Sequence, residues 1–504
     1  MTFSAALTED VHRQIGAHVL RADGQEDLCF ALWHPSGGRT RTTALISEPL
    51  LPGPGDRNVH GNASFEASYF LRSITRAQEH AAGLALIHSH PLGAGWQGMS
   101  RDDIAAEAGH AAQARATTGQ PLVGLTMGGD GSLSARRWTG TRRSPVREDA
   151  DSVRVTGAAL TVTWNDALRP PPEVTEQQLR TVSAWGESAQ QQLSRLRVGI
   201  IGAGSVGSLI AEALARTGIA EILLIDFDSV KLHNLDRLLH ASERDVRLVC
   251  SKVEVLARGL RRGATASEPK IQALEYSVVE EDGWRAALDC DVLFSCVDRP
   301  WPRSALNLAA YSHLIPVVDG GIAVDVSRGR LRGADWKAHI AAPARRCLEC
   351  TGQYDPALVQ AEREGHFDDP AYIRGLPQDH ALRRNENVFA FSAAAASLEV
   401  LQFLSMALSP NRVADIGAQN HHFVTGRLDV DAGLCRAGCP YTEQLTALGD
   451  DCGVTTTARH HAAEHERAAR QKQRTWRVRL RRRSLKRLDQ RARQDRTTQR
   501  YSRQ

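Results

Sequence analysis

The segment Arg197–Gly218, RVGIIGAGSVGSLIAEALARTG, constrains the fold more than any other stretch of the chain. An apolar strand runs into Gly202-x-Gly204-x-x-Gly207, and a helical stretch comes after it. The first glycine permits a tight turn, and the second lets the backbone approach a phosphate. The third packs helix against strand, and the helix N-terminus favours the anion. Asp226 lies about 24 residues after Gly202, ending the next apolar run, where a carboxylate can accept ribose hydroxyls. By itself the turn predicts a nucleotide. It does not separate a nicotinamide-dependent dehydrogenase from a nucleotidyl transferase.

The surroundings predict an α/β fold with a Rossmann-like doubly wound sheet. Strand-like runs at Arg197–Ile201, Ile222–Asp226, Val292–Val297 and Ile315–Val318 alternate with helical stretches at Ser205–Arg216 and Ser251–Leu260. A separate N-terminal α/β domain is predicted over residues 1–140. Its strands are expected at Leu28–Trp33, Thr43–Ile46, Leu84–Ile87 and Leu122–Met127. Helices are expected at Ser64–Ala82 and from Ser100, which could cap a first turn holding Asp102 and Asp103. Residues 141–175, with Pro170, Pro171 and Pro172, read as a linker with one strand near Ala158–Thr163. Residues 176–445 read as the nucleotide domain, and 446–504 as a basic tail, disordered or helical.

The residues beyond the glycine turn narrow the choice. The run IDFDSVKLHNLDR supplies Asp226, Asp228, Asn234 and Arg237; Lys252 comes next, and Asp298 ends the run at Val292–Val297. Asn234, Arg237 and Lys252 are expected to converge with Asp298 beyond the carboxyl ends of the strands. Two cations and an amide beside a carboxylate suit a triphosphate with magnesium. A nicotinamide needs a flat apolar slot and has no use for them.

GAGSVG, DFDSVKLHNLDR, Lys252 and SCVDRP together resemble the ThiF/MoeB-type adenylyltransferases, the superfamily of ubiquitin-activating enzymes, over residues 178–445. The resemblance implies that Asp226 binds the ribose, that Asn234, Arg237 and Lys252 hold phosphates, and that Asp298 holds Mg2+. It also implies an N-terminal arginine, Arg180, supplied across a homodimer. The chemistry implied is attack by a protein C-terminal carboxylate on the α-phosphate of ATP.

Nine cysteines, odd in number for 504 residues, argue against a disulfide framework. Cys347-x-x-Cys350 and Cys435-x-x-x-Cys439 could close one tetrahedral thiolate site, and the same superfamily often carries such a structural zinc. A transfer cysteine is not evident: Cys296 reads as core, and Thr351–Asn387 contains no cysteine.

A second constellation lies near the N-terminus, in LIHSHPLGAGWQGMSRDD. His88 and His90, at i and i+2 on a strand, point to one face and can reach one ion, with Asp103 on the next helix as a third ligand. The pattern resembles the JAB/MPN (JAMM) metalloproteases over about residues 10–135. That likeness implies a catalytic zinc, Ser100 assisting at the oxyanion, and Glu48 as base in preference to Glu66 or Glu79. It also implies cleavage at the C-terminus of ubiquitin-like proteins.

From Arg459 to Arg503 there are 17 Lys/Arg against 4 Asp/Glu, so the formal +4 of the chain hides a basic tail on an acidic body. The run Arg477–Arg487 could bind nucleic acid or an acidic partner, but a solvated tail is the favoured reading, with only Trp476 and Tyr501 aromatic there. No uninterrupted apolar run of membrane-spanning length occurs, and no secretory signal is evident, so a cytoplasmic enzyme without a membrane partner is expected. The leading expectation is a bifunctional enzyme that adenylates a ubiquitin-like protein and processes or deconjugates it. The alternatives are a sulfur-carrier-protein adenylyltransferase in cofactor biosynthesis, or an inactive scaffold binding ubiquitin-like tails.

Overall fold

A computed structural model of the chain describes residues 1–60, 62–141, 143–375 and 386–476. The first strands, in chain order, are β1 (Thr2–Thr8), β2 (Leu28–Gly37), β3 (Arg41–Leu50), β4 (Arg57–His60), β5 (Asn62–Phe65), β6 (Gly83–His90), β7 (Leu122–Gly128), β8 (Leu133–Thr141), β9 (Ser144–Asp149), β10 (Ser152–Thr156) and β11 (Leu160–Trp164). Nine of them form one mixed sheet in the order β11-β10-β1-β3-β2-β6-β7-β8-β9, while β4 and β5 pair as a hairpin. Both faces of the sheet centre are covered. Cys29, Ala31 and Ile87 pack with Val11, Ile15 and Val19 of helix Glu9–Val19. Leu28, Phe30 and Leu86 pack with helices Ala67–Glu79 and Arg101–Thr118. Strands buried on both faces carry near-continuous apolar runs, which is why these were legible.

Two expectations need correction. The helix expected from Ser64 begins only at Ala67, because Asn62–Phe65 is drawn into the hairpin with Arg57–His60. Nor is 141–175 a linker. Ser152–Thr156 pairs in parallel with β1, and Leu160–Trp164 extends the same sheet. The prolines at 170–172 lie after the last of these strands, so they do not interrupt the ladder.

The second sheet contains β12 (Arg197–Ile201), β13 (Glu221–Ile225), β14 (Lys270–Leu274), β15 (Val292–Ser295), β16 (Val317–Ser327), β17 (Arg330–Ala341), β18 (Ala418–His422) and β19 (Arg427–Asp431), in the order β14-β13-β12-β15-β16-β17-β18-β19. From β14 to β16 neighbouring strands are parallel; β17, β18 and β19 add an antiparallel extension. The order reverses at β12, so the crevice beyond its carboxyl end is the topological switch point where such sheets bind ligands. Among the described residues one helix, Phe389–Leu408, is long and apolar enough to cross a membrane. It packs Ala396, Val400, Phe403 and Met406 into the core of this sheet and also buries Glu399 and Gln402.

A buried ion network joins the two sheets. Asp291, fully buried, receives Arg41 at 2.6 Å and Arg154 at 3.0 Å. Arg197 reaches back to Asp151 at 2.6 Å. Nearby, Ser36 Oγ lies 2.8 Å from His313 Nδ1, and Asp450 and Asp451 contact Gly37 and His34. Residues after 446 therefore do not all form a tail: Ala447 sits in a small core with Ala6, Leu45 and Leu314, and a helix at 461–476 lies against the second sheet's loops. The Arg477–Arg487 run and the rest of the chain to 504 lie outside the described residues.

Candidate functional site

The turn after β12 fulfils the steric demands read from its glycines. Gly202 has φ +98°, and a Cβ there would collide with the Cys296 carbonyl. A Cβ at Gly207 would collide with the Gly202 carbonyl, while Gly204 faces open space. Helix Ser205–Thr217 starts at this turn, with Gly204 as its N-cap.

Asp226, just past β13, binds the turn itself. Its Oδ2 accepts from Ala203 N at 2.8 Å, and its Oδ1 accepts from Asp228 N at 2.7 Å. Burial raises this carboxyl's pKa despite nearby Lys252. At Asp228 burial also pushes upward, but Lys252 outweighs it and holds the carboxyl low. Lys252 Nζ lies 2.6 Å from Asp228 Oδ2, and its own pKa is raised by Asp226, Asp228 and Asp298 against the cost of burial. Ser251 caps the helix that Lys252 begins. Asp298 is exposed, three residues beyond β15.

The predicted cluster is thus assembled in part. Lys252 is influenced by Asp226, Asp228 and Asp298 together, and Asp226 by Asp228. Asn234 and Arg237 occupy a neighbouring turn and are engaged locally: Asn234 Oδ1 accepts from Lys231 N at 3.0 Å, and Arg237 donates to His233 O and Asp236 at 2.8 Å. Arg180 is exposed in helix Leu179–Trp185, and no described contact ties it to these groups.

The chain belongs to the ThiF family. The family model matches residues 175–430, half of the chain, and spans the glycine turn, Asp226, Lys252 and Asp298. Among curated proteins, the chain is similar to ubiquitin-like modifier-activating enzyme 5 of Drosophila willistoni, with 28% identity over 34% of this chain and 42% of that protein. It is also similar to tRNA threonylcarbamoyladenosine dehydratase of Escherichia coli strain K12, with 32% identity over 28% of this chain and 52% of that one. The chain spans about half the length, or less, of these relatives. Among solved structures, E. coli MccB with ATP matches at 19% identity and a TM-score of 0.41, covering 53% of this chain and 74% of MccB.

The four spaced cysteines come together, Cys347 and Cys350 within the matched residues and Cys435 and Cys439 just beyond them. Their sulfurs lie within 4.8 Å of one another, with Cys347 Sγ 3.7 Å from Cys439 Sγ. A tetrahedral zinc with Zn–S near 2.3 Å requires sulfurs about 3.8 Å apart, so the donor set fits zinc. Four of the other five thiols lack activation. Burial raises the pKa of Cys250, Cys290 and Cys296, and pushes Cys29 up to about 12. A thiolate nucleophile needs the opposite shift.

At the N-terminal site, β6 delivers His88 and His90 to the face covered by helix Arg101–Thr118. Asp103 Oδ1 lies 3.6 Å from His88 Nε2, and its Oδ2 lies 3.6 Å from His90 Nε2. The three ligand atoms fall within 4.8 Å of one another, a spacing that one ion can bridge. Ser100 and Asp103 form a capping box: Asp103 N donates to Ser100 Oγ at 3.1 Å, and Ser100 N donates to Asp103 Oδ2 at 2.8 Å. Behind them, Thr126 Oγ1 lies 3.3 Å from His88 Nε2 and accepts from Arg136, which pairs with buried Glu107 one turn along from Asp103.

The geometry corrects Glu48. Glu48 is opposite Leu32, which is opposite Leu84, four residues short of His88. That separation is about 13 Å along the strand and two strand spacings across. Glu48 instead pairs with Arg76 at 3.3 Å. Sequence reasoning missed Glu26. Leu28 pairs with His88 and Ser89 N donates to Asp27 O at 3.0 Å, so the same register carried past the end of the strand would set Glu26 level with His90. The available signal was period-two alternation backward from Leu28.

Proposed function

We propose that this chain uses ATP to adenylate the C-terminal carboxylate of a ubiquitin-like or related protein. The observation that carries this reading is Lys252 held among Asp226, Asp228 and Asp298 at the switch point of a ThiF sheet. The substrate carboxylate attacks the α-phosphorus, an acyl-adenylate forms, and pyrophosphate leaves. Asp226 and Asp228 take the ribose side. Lys252, with Asn234 and Arg237 released from their local partners, neutralises phosphate charge, so catalysis rests on positioning and electrostatics. Asp298 would hold magnesium, which when bound supplies further charge neutralisation. Arg180 would serve across a homodimer, and the four cysteines would hold a structural zinc.

We further infer that residues 1–164 form a JAB/MPN-type zinc peptidase acting on the same class of protein tail. His88, His90 and Asp103 would hold the ion, which when bound supplies Lewis acidity. Glu26 takes a proton from the attacking water and returns it to the leaving amine, while Ser100 holds Asp103 in place. The likeness to ubiquitin-like modifier-activating enzyme 5 supports a protein substrate. The paired cysteines, placed to hold a metal rather than a disulfide, support a cytoplasmic location.

ATP–pyrophosphate exchange dependent on a candidate ubiquitin-like protein tests the first activity. Loss in Asp298→Ala and Arg237→Ala is expected; full exchange in both would defeat the proposal. The fate of the activated protein, whether conjugate or thiocarboxylate, separates modifier activation from sulfur-carrier chemistry.

A further inference from the structure

The C-terminal segment after the cysteine site makes contacts that the adenylation machinery alone does not need. Thr456 O accepts from Trp301 Nε1 at 3.0 Å, and Ala458 N donates to Val279 O at 2.9 Å. His460, buried, stands edge-on to Phe227 with ring centroids 5.0 Å apart and to Trp301 at 5.8 Å. Phe227 separates Asp226 from Asp228, and Trp301 lies three residues beyond Asp298. One imidazole therefore bridges the two loops that carry the site's carboxylates.

Ten residues later Arg470, 1% exposed, completes the attachment. Its Nη1 donates to Phe227 O at 2.6 Å and Ser229 Oγ at 3.0 Å, and its Nε donates to Glu275 at 3.0 Å. Glu466, on the same helix, meets Ser229 Oγ at 3.1 Å and Lys231 at 3.3 Å. Arg467 pairs with Glu280 beside them. The guanidinium thus fixes the backbone between the two ribose-side carboxylates, and it does so from 243 positions away in the chain.

We propose that the segment 456–470 is a strap that sets the geometry of the nucleotide site, with His460 and Arg470 as positioning residues for the ribose-binding loop. This rests on the adenylation reading, in which Asp226 and Asp228 face the ribose. The strap acts on the nucleoside half of ATP and leaves the phosphate half, held by Lys252, unaffected. Removing the Arg470 contacts therefore weakens ATP and adenosine together and spares pyrophosphate.

The test uses the full chain as wild type, Arg470→Met, Arg470→Lys, His460→Ala, His460→Phe and Asp226→Asn. Binding of ATP, adenosine and pyrophosphate is measured by calorimetry, and KM and kcat by pyrophosphate exchange. A charge-assisted hydrogen bond at this loop predicts about a tenfold rise in Kd for ATP and adenosine and in KM for ATP in Arg470→Met. Unchanged pyrophosphate affinity, a kcat within about twofold, and partial recovery in Arg470→Lys are expected alongside. His460→Ala removes the aromatic bridge and is expected to weaken ATP and adenosine together, with recovery in His460→Phe, which keeps the ring contacts. Hydrogen exchange at residues 226–231 reads the loop directly and stays informative if Arg470→Met is less stable. Equal ATP affinity and equal protection in Arg470→Met overturn the strap. Failure of the wild type to bind ATP overturns the adenylation reading instead, and Asp226→Asn losing affinity while Arg470→Met does not sinks the strap alone.

Discussion

Lys252 Nζ and Asp228 Oδ2 meet at 2.6 Å, and the pair is closed in by Asp226, whose two oxygens are already taken by backbone amides. Lys252→Met leaves two inward-facing carboxylates without their cation. Exchange activity is expected to fall at least 100-fold, in line with loss of a preorganised charge at a phosphate, with a lower melting temperature. The pair also has a pH signature. Asp228 titrates below its unfolded value, so its contribution is present above about pH 4 and is lost as pH falls through the lowered folded value. Thermal melts of wild type and Asp228→Asn between pH 3 and pH 7 should converge at the acid end.

Glu26 and Glu48 make opposite predictions. With zinc retained in both, Glu26→Gln should slow cleavage of a ubiquitin-like fusion by about 100-fold or more, the usual worth of a general base. Glu48→Gln should cleave as wild type does, having lost only a half-exposed contact with Arg76. A fluorogenic peptide assay with metal analysis decides between them.

The four-cysteine cluster should account for one equivalent of zinc per chain. Cys347→Ser and Cys439→Ser are expected to lose it and to melt at lower temperature, since Cys347 and Cys439 are both buried in the core that also holds Tyr311 and Tyr354. Mass spectrometry under native conditions reads the stoichiometry; zinc retained at full occupancy in both variants would count against the site.

Asp291 serves two guanidiniums, Arg41 and Arg154, both 1% exposed, across the junction of the sheets. Asp291→Ala strands those charges, and removing one partner of a buried pair costs about 3–5 kcal/mol. Because the network ties both sheets, wild type should unfold in one calorimetric transition, and Asp291→Ala should split it into two.

Much of the fold was written locally in the sequence. β12 and the helix Ser205–Thr217 follow from glycine spacing, and Ser100 was legible as a cap because Asp103 stands at N3. Long-range pairing was not. Ser152–Thr156 becomes a strand by joining β1, some 150 residues away, and nothing in its own composition announces that partner. Glu48 failed for the same reason: a glutamate on an upstream strand is a local fact, while its distance from His88 depends on register across two other pairings. The strap escaped notice because arginines in a charge run read as solvated, and only the fold turns Arg470 inward.

His313 carries the last prediction. Burial at the junction lowers its pKa to about 4, and its Nδ1 is 2.8 Å from Ser36 Oγ. In the unfolded chain the imidazole titrates near 6.5. Above that pH both states hold a neutral ring and the group is indifferent. Between about 6.5 and 4 the unfolded chain binds a proton that the folded chain refuses, so stability falls as the solution is acidified, by up to about 3 kcal/mol from this group. Below about 4 both states are charged and the loss levels off. His313→Asn, which can still hydrogen-bond Ser36, removes this dependence. Denaturant unfolding at pH 7, 5.5 and 4.5 should show a steeper loss in wild type than in His313→Asn, and parallel curves would remove His313 as the source.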